Sequence, residues 1–210
     1  MEKLKTFMGW ITSILLIGSA LWYSYLTMTG QIQPTVATFI MALTYFCISE
    51  VTYWNKNKGV SIWNNIAMHA GFANVVIATL AVVGKNLWEG NLSADFTPFH
   101  IICMTISLMI LVFWKLTKTH NTSFILMQVV AVIAYLPMVL RVLNAKEQTE
   151  SNVLWIAILA ASMTAIPKVW SGYKKDKDWL SLIYIGRVIP SNLVVVYLIY
   201  AKDYALYPFV

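Results

Sequence analysis

The sequence predicts an all-α integral membrane protein: seven transmembrane helices forming two parallel three-helix repeats joined by a linker helix. Composition, span length and charge placement each point there. Of 210 residues, 59% are hydrophobic and 11% charged, with a mean hydropathy of +0.67. A soluble domain carries about 25% charged residues, so a water-soluble globule of this length could not hide the apolar excess. Intrinsic disorder requires the opposite composition. Seven apolar runs approach the ~20 residues that cross a hydrocarbon core, and most charges fall in the short turns between them.

The runs cover residues 8–28, 34–54, 62–84, 98–115, 123–143, 153–169 and 179–201. The first follows the basic stretch Glu2-Lys3-Leu4-Lys5 and passes through Leu21-Trp22-Tyr23 without a small-x-small cleavage pattern. It is therefore read as a retained span and not a signal peptide. The second and fourth begin at Pro34 and Pro98, where a fixed φ suits a first helical turn. The loop at 85–97 is the longest, and no linker is long enough to divide the chain. The expectation is one membrane domain over 1–210, with repeats at 8–84 and 123–201 and the linker helix at 98–115.

Charge then sets orientation. Fifteen Lys and Arg against nine Asp and Glu give a net charge of +6. Ten of the basic residues lie on one side: Lys3, Lys5, Lys56, Lys58, Lys115, Lys118, Lys168, Lys174, Lys175 and Lys177. Lys85, Arg141, Lys146 and Lys202 lie on the other, and Arg187 is inside a span. The positive-inside rule places the N-terminus in the cytoplasm and the C-terminus outside, in a multi-pass cell-membrane protein. Trp54, Trp63, Trp170 and Trp179 gather on the basic side as an interfacial belt would. Basic residues confined to tails and loops argue against nucleic acid as a partner. Cys47 and Cys103 both fall inside apolar runs, which points to buried thiols without a disulfide or metal. No cofactor is expected.

An internal repeat supports the pairing of spans. Trp54-Asn55-Lys56 aligns with Trp170-Ser171-Gly172 at an offset of 116. Two residues later in register, His69 falls on Arg187 and Asn74 on Asn192, both at an offset of 118. Span one, ending in Trp22-Tyr23-Ser24-Tyr25-Leu26, matches span five around Leu136-Pro137-Met138-Val139-Leu140. An intervening fourth helix gives both triplets the same orientation, an arrangement in which transporters hold their solute between the halves.

This 3+1+3 plan resembles the SWEET sugar transporters and the wider PQ-loop superfamily, which includes bacterial nicotinamide riboside transporters. The stretch Ile133-Ala134-Tyr135-Leu136-Pro137-Met138-Val139-Leu140-Arg141 is similar to the PQ-loop segment, although Met follows the proline where the family has Gln. Span one has no proline at the equivalent place, and the derived orientation is opposite to that of SWEET proteins. In that family an Asn on the third helix faces one on the seventh and hydrogen-bonds the sugar. The resemblance implies this role for Asn74 and Asn192.

Polar groups inside a bilayer are costly and tend to face a bundle interior or wet cavity. The inventory is Glu50, His69, Asn74, Arg187 and Asn192, with Asn64, Asn65 and His100 nearer the ends. A substrate chamber would use the Asn74 and Asn192 amides, the Arg187 guanidinium for a carboxylate or phosphate, and His69. Trp22 and Trp155 are its candidate aromatic walls. Glu50 and Arg187 are expected to pair, either as a structural ion pair or as part of ion coupling, and Glu50 and His69 are the groups able to exchange protons. Pro137 and Pro190, inside spans, are candidate hinges.

The expected function is a transporter moving a small polar, sugar- or vitamin-like metabolite by alternating access. The alternative is a non-transporting seven-helix receptor, scaffold or accessory subunit. No His-Glu-x-x-His, Gly-x-Ser-x-Gly or intrahelical carboxylate pair is present, so no enzyme is expected. The partners are a small polar solute and the lipid bilayer, with homo-oligomer formation left open.

Overall fold

Each apolar run forms a helix, which satisfies its backbone hydrogen bonds within the segment as a spanning element must. The computed structural model describes residues 2–59, 62–90, 96–144 and 152–206. Its elements are α1 (Glu2–Met28), α2 (Val36–Lys56), a 3-10 turn (Ile62–Asn65), α3 (Ile66–Trp88), α4 (Pro98–Thr117), α5 (His120–Asn144), α6 (Asn152–Asp176) and α7 (Trp179–Leu206). All seven helices are long and apolar enough to cross a membrane, which fits a multi-pass membrane protein.

Local chemistry sets the ends. Gly30 closes α1 with a left-handed φ of 76°, and the Gln31 amide returns to the Leu26 carbonyl at 3.0 Å, a glycine-terminated helix end. Thr97 and His100 cap α4 reciprocally, with Pro98 in the first turn. Pro34 instead lies two residues ahead of α2. The expected end of α6 at 169 is too early: the helix runs on to Asp176, through Pro167 and the lysines beyond it. Similarly, α3 continues to Trp88, shortening the loop read at 85–97, of which 91–95 lie outside the described residues. Conversely, the first residues of the third span form the 3-10 turn, so α3 proper begins at Ile66.

Helix α3 packs between α1 and α2, and α7 between α5 and α6; α1 also meets α6, α2 meets α5, and α4 lies on α2 and α5. The ends sort accordingly. Lys5 donates to Ser171 at 3.0 Å, and the Trp10 and Trp63 rings meet at a tilted 53°, which joins the start of α1 to the end of α6 and to the 3-10 turn ahead of α3. At the opposite end Lys85 approaches Gly30.

Small and hydroxylic residues hold these contacts, as expected where hydrophobic burial cannot drive association. Ala161 and Thr12 are wholly buried; Thr12 shares a 3.0 Å hydrogen bond with Thr164, tying α1 to α6. Thr79 donates to the Phe39 carbonyl at 3.4 Å, tying α3 to α2. Many large apolar side chains face outward, among them Leu80, Met109, Leu116, Val194 and Tyr197, more than a soluble monomer exposes. Three prolines lie inside helices: Pro137 in α5, Pro167 in α6 and Pro190 in α7. Helices α1, α2 and α3 have no proline.

Candidate functional site: a central cavity and its arginine

A cavity of about 100 Å³ opens at the centre of the bundle, lined by residues of α1, α2, α3, α5, α6 and α7. That is room for several waters or a small solute. Its wall is mostly apolar and aromatic, with Phe39, Tyr45 and Phe46 from α2, Tyr135 from α5, Trp155 from α6 and Tyr184 from α7. The cation in this lining is Arg187.

The side chain of Arg187 reaches the wall through helical spacing. Tyr184, Arg187 and Val188 occupy one face of α7 at i, i+3 and i+4. The guanidinium lies 5.2 Å from the Tyr184 ring centre, a cation–π arrangement. Its Nε and Nη2 donate to Gln128 Oε1 at 3.2 and 3.1 Å, and Gln128 in turn donates to Ser49 Oγ at 3.4 Å. The network thus runs from α2 through α5 to α7. One edge of the guanidinium is clamped this way, while Nη1 is buried with no protein acceptor. Trp155 Nε1 is likewise buried without an acceptor, and the ring packs 5.9 Å from Tyr135.

Glu50 and Arg187, expected as a pair, do not meet. The Glu50 carboxylate bonds His69 Nδ1 instead. Both Glu50 and Arg187 lie a few turns from their helix ends, so depth allowed the pairing. Helix rotation decided against it: Glu50 faces α3, and Arg187 faces Gln128 on α5. His69 stands on the first turn of α3, beside Tyr53 and Trp54, and is not part of the cavity wall.

The two asparagines also part company. Asn74 lines the cavity, but its amide donates to the Leu16 carbonyl at 2.6 Å and to Ser19 at 3.2 Å. Asn192 lies one turn beyond Val188, outside the cavity wall, and donates to the Val188 carbonyl at 2.7 Å. The facing pair implied by the family resemblance is therefore not assembled. Trp22 is exposed on the bundle's outer surface, stacked on Tyr25, because the buried stripe of α1 runs through Leu16, Ala20 and Tyr23. Of the expected substrate residues, the structure brings Asn74, Trp155 and Arg187 to one cavity.

Sequence reasoning missed two polar residues. Gln128, uncharged and alone in an apolar run, is the clamp on Arg187. Asp178, just ahead of the seventh apolar run, is buried and caps α7. It accepts from Tyr53 Oη at 2.6 Å, from the Ser181 amide at 3.4 Å and from the Ser181 hydroxyl. The Asp-x-x-Ser spacing before an apolar run was the available signal. Tyr53 and Asp178 thereby lock the end of α2 to the start of α7.

The sequence matches no family model, and neither a curated protein nor a solved structure shows significant similarity to it.

Proposed function

We propose that the chain is a multi-pass cell-membrane transporter carrying a small polar solute through the central cavity by alternating access of two three-helix halves. The observation that carries the reading is the cavity itself, walled by α1, α2 and α3 on one side and α5, α6 and α7 on the other. Renumbering α1 as α5, α2 as α6 and α3 as α7 turns the main contacts among these six helices into one another: α1–α3 becomes α5–α7, α2–α3 becomes α6–α7, and α1–α6 becomes α5–α2, while the smaller α3–α6 contact and the seating of α4 on α2 and α5 fall outside the pattern. Such a pattern supports parallel repeats with α4 as linker, the plan of the SWEET and PQ-loop families, and transporters of that kind hold solute between the halves. The ten basic residues at one end support an N-terminus in the cytoplasm.

In this reading Arg187 orients the solute and Trp155 and the tyrosines enclose it. The Tyr53–Asp178 and Glu50–His69 contacts close the cytoplasmic end between or beside the halves, and Pro137 and Pro190 supply compliance. The test is uptake into proteoliposomes of a radiolabelled panel of sugars, nucleosides, vitamins and small organic acids. Saturable uptake of one member, lost in Trp155→Ala, is the expected result. Absence of uptake across the panel, in either gradient direction, would remove the proposal.

A further inference from the structure

The cavity holds a positive charge that no carboxylate among the described residues matches. Arg187 is 9% exposed, and a guanidinium does not lose its proton in a protein. Burying such an ion is costly unless a partner of opposite charge offsets it. Among the described residues, no carboxylate lies within ion-pair distance of it: Glu50 is held by His69, and Asp178 by Tyr53 and Ser181. Gln128, its partner, offers only a neutral carbonyl oxygen.

Within the described cavity lining, the unmatched buried groups are both donors. Arg187 Nη1 and Trp155 Nε1 are buried donors in the cavity lining without acceptors. The other polar side chains of the lining largely spend their groups within the protein, as Asn74 does on Leu16 and Ser162 on Ile158. A complementary ligand therefore brings acceptors and negative charge. The remaining wall, with Phe39, Phe46, Val75 and Tyr135, asks for a flat apolar body.

We infer that the cavity binds a small monocarboxylate with a flat apolar body, its carboxylate on the free edge of Arg187. Trp155 Nε1 offers a second donor to the same ligand. This names the solute class of the transporter proposed above and rests on that reading for movement across the membrane, though not for binding.

The test uses the full chain in detergent and follows thermal unfolding with sodium benzoate, benzamide, benzylamine, sodium acetate and sodium chloride at matched ionic strength. Benzoate raises the melting temperature dose-dependently, by at least about 3 °C at saturation; the neutral amide, the cation and the inorganic salt do not. Arg187→Gln abolishes the rise. Should that variant fail to fold, Gln128→Glu decides: it places a carboxylate against the guanidinium, keeps the packing, and cancels the benzoate response. Equal shifts with benzamide, or an unchanged benzoate response in Gln128→Glu, would overturn the inference. An acetate response matching benzoate's would overturn the flat-body part. Benzoate binding without benzoate uptake into proteoliposomes supports the inference and removes the transporter reading. Uptake of a neutral solute with no benzoate binding does the reverse.

Discussion

Gly71 lies on α3 at the cavity, facing the Tyr184 side chain of α7. An alanine Cβ there would stand 2.8 Å from the Tyr184 hydroxyl oxygen and 3.7 Å from the Phe46 ring. The first distance is well inside the ~3.5 Å at which non-bonded heavy atoms rest. Tyr184 cannot swing aside freely, since its ring is buried beneath the Arg187 guanidinium and its hydroxyl points to the Ala67 carbonyl at 3.5 Å. Overpacking of this kind costs about 1–3 kcal/mol. Against it stands about 1 kcal/mol that alanine gains over glycine in a helix. Gly71→Ala should therefore be neutral to about 2 kcal/mol destabilising, by those two terms.

In a Tyr184→Phe background the oxygen is gone and the 3.7 Å contact with Phe46 is ordinary packing. The same Gly71→Ala change should then be neutral or stabilising by up to about 1 kcal/mol. The four proteins form a double-mutant cycle, read by unfolding in detergent followed by tryptophan fluorescence. For a chain of this length, about 2–4 °C corresponds to 1 kcal/mol, so the difference between backgrounds is measurable. An identical effect of Gly71→Ala in both backgrounds would refute the steric argument and the α3–α7 crossing on which it rests.

Asp178→Ala removes a helix cap and leaves the Tyr53 hydroxyl without its acceptor, so it should cost about 2–4 kcal/mol. Tyr53→Phe should cost less, about 1–2 kcal/mol, and the double variant should fall short of the sum when their unfolding is compared. Gln128→Leu strands two guanidinium donors and is expected to destabilise by about 3 kcal/mol, whereas Gln128→Glu should leave the melting temperature unchanged or raised. For orientation, cysteines are introduced singly at Lys177 and Glu89 after Cys47 and Cys103 are replaced by alanine. A membrane-impermeant maleimide applied to intact cells should label position 89 and spare 177; the opposite pattern would invert the topology.

How much of this was legible in the sequence depends on whether a feature is one-dimensional. Span count, the basic end, the end of α1 and the starts of α4 and α7 follow from local runs and caps, and they are legible directly. The end of α6 was misplaced because Pro167, Lys168 and Trp170 look like a terminus, though a proline is tolerated inside a packed membrane helix. Contacts were harder, since depth along a helix is visible in sequence while rotation about its axis is not. That is why Glu50 was matched with Arg187 by depth and turned out to face His69. It is also why Asn192 lies a turn past the cavity and Trp22 faces outward. Gln128 carries no charge to mark it, although a neutral amide alone in an apolar run is also a rare event.

The three interior prolines all belong to α5, α6 and α7. Each removes one rung of its helix's hydrogen-bond ladder and leaves the carbonyl four residues earlier unengaged; for Pro190 that carbonyl belongs to Gly186, whose Cα side is open space. On the proposed reading, the proline-free trio serves as the stator, and the later trio is the part that bends. Arg187 rides on the bending part, three residues before Pro190. On the proposed reading, a carboxylate held there would travel with α7 while the apolar body of the solute slides along a fixed wall of α2 and α3. Transport in such a machine is a one-armed stroke, in which the charged end of the cargo leads.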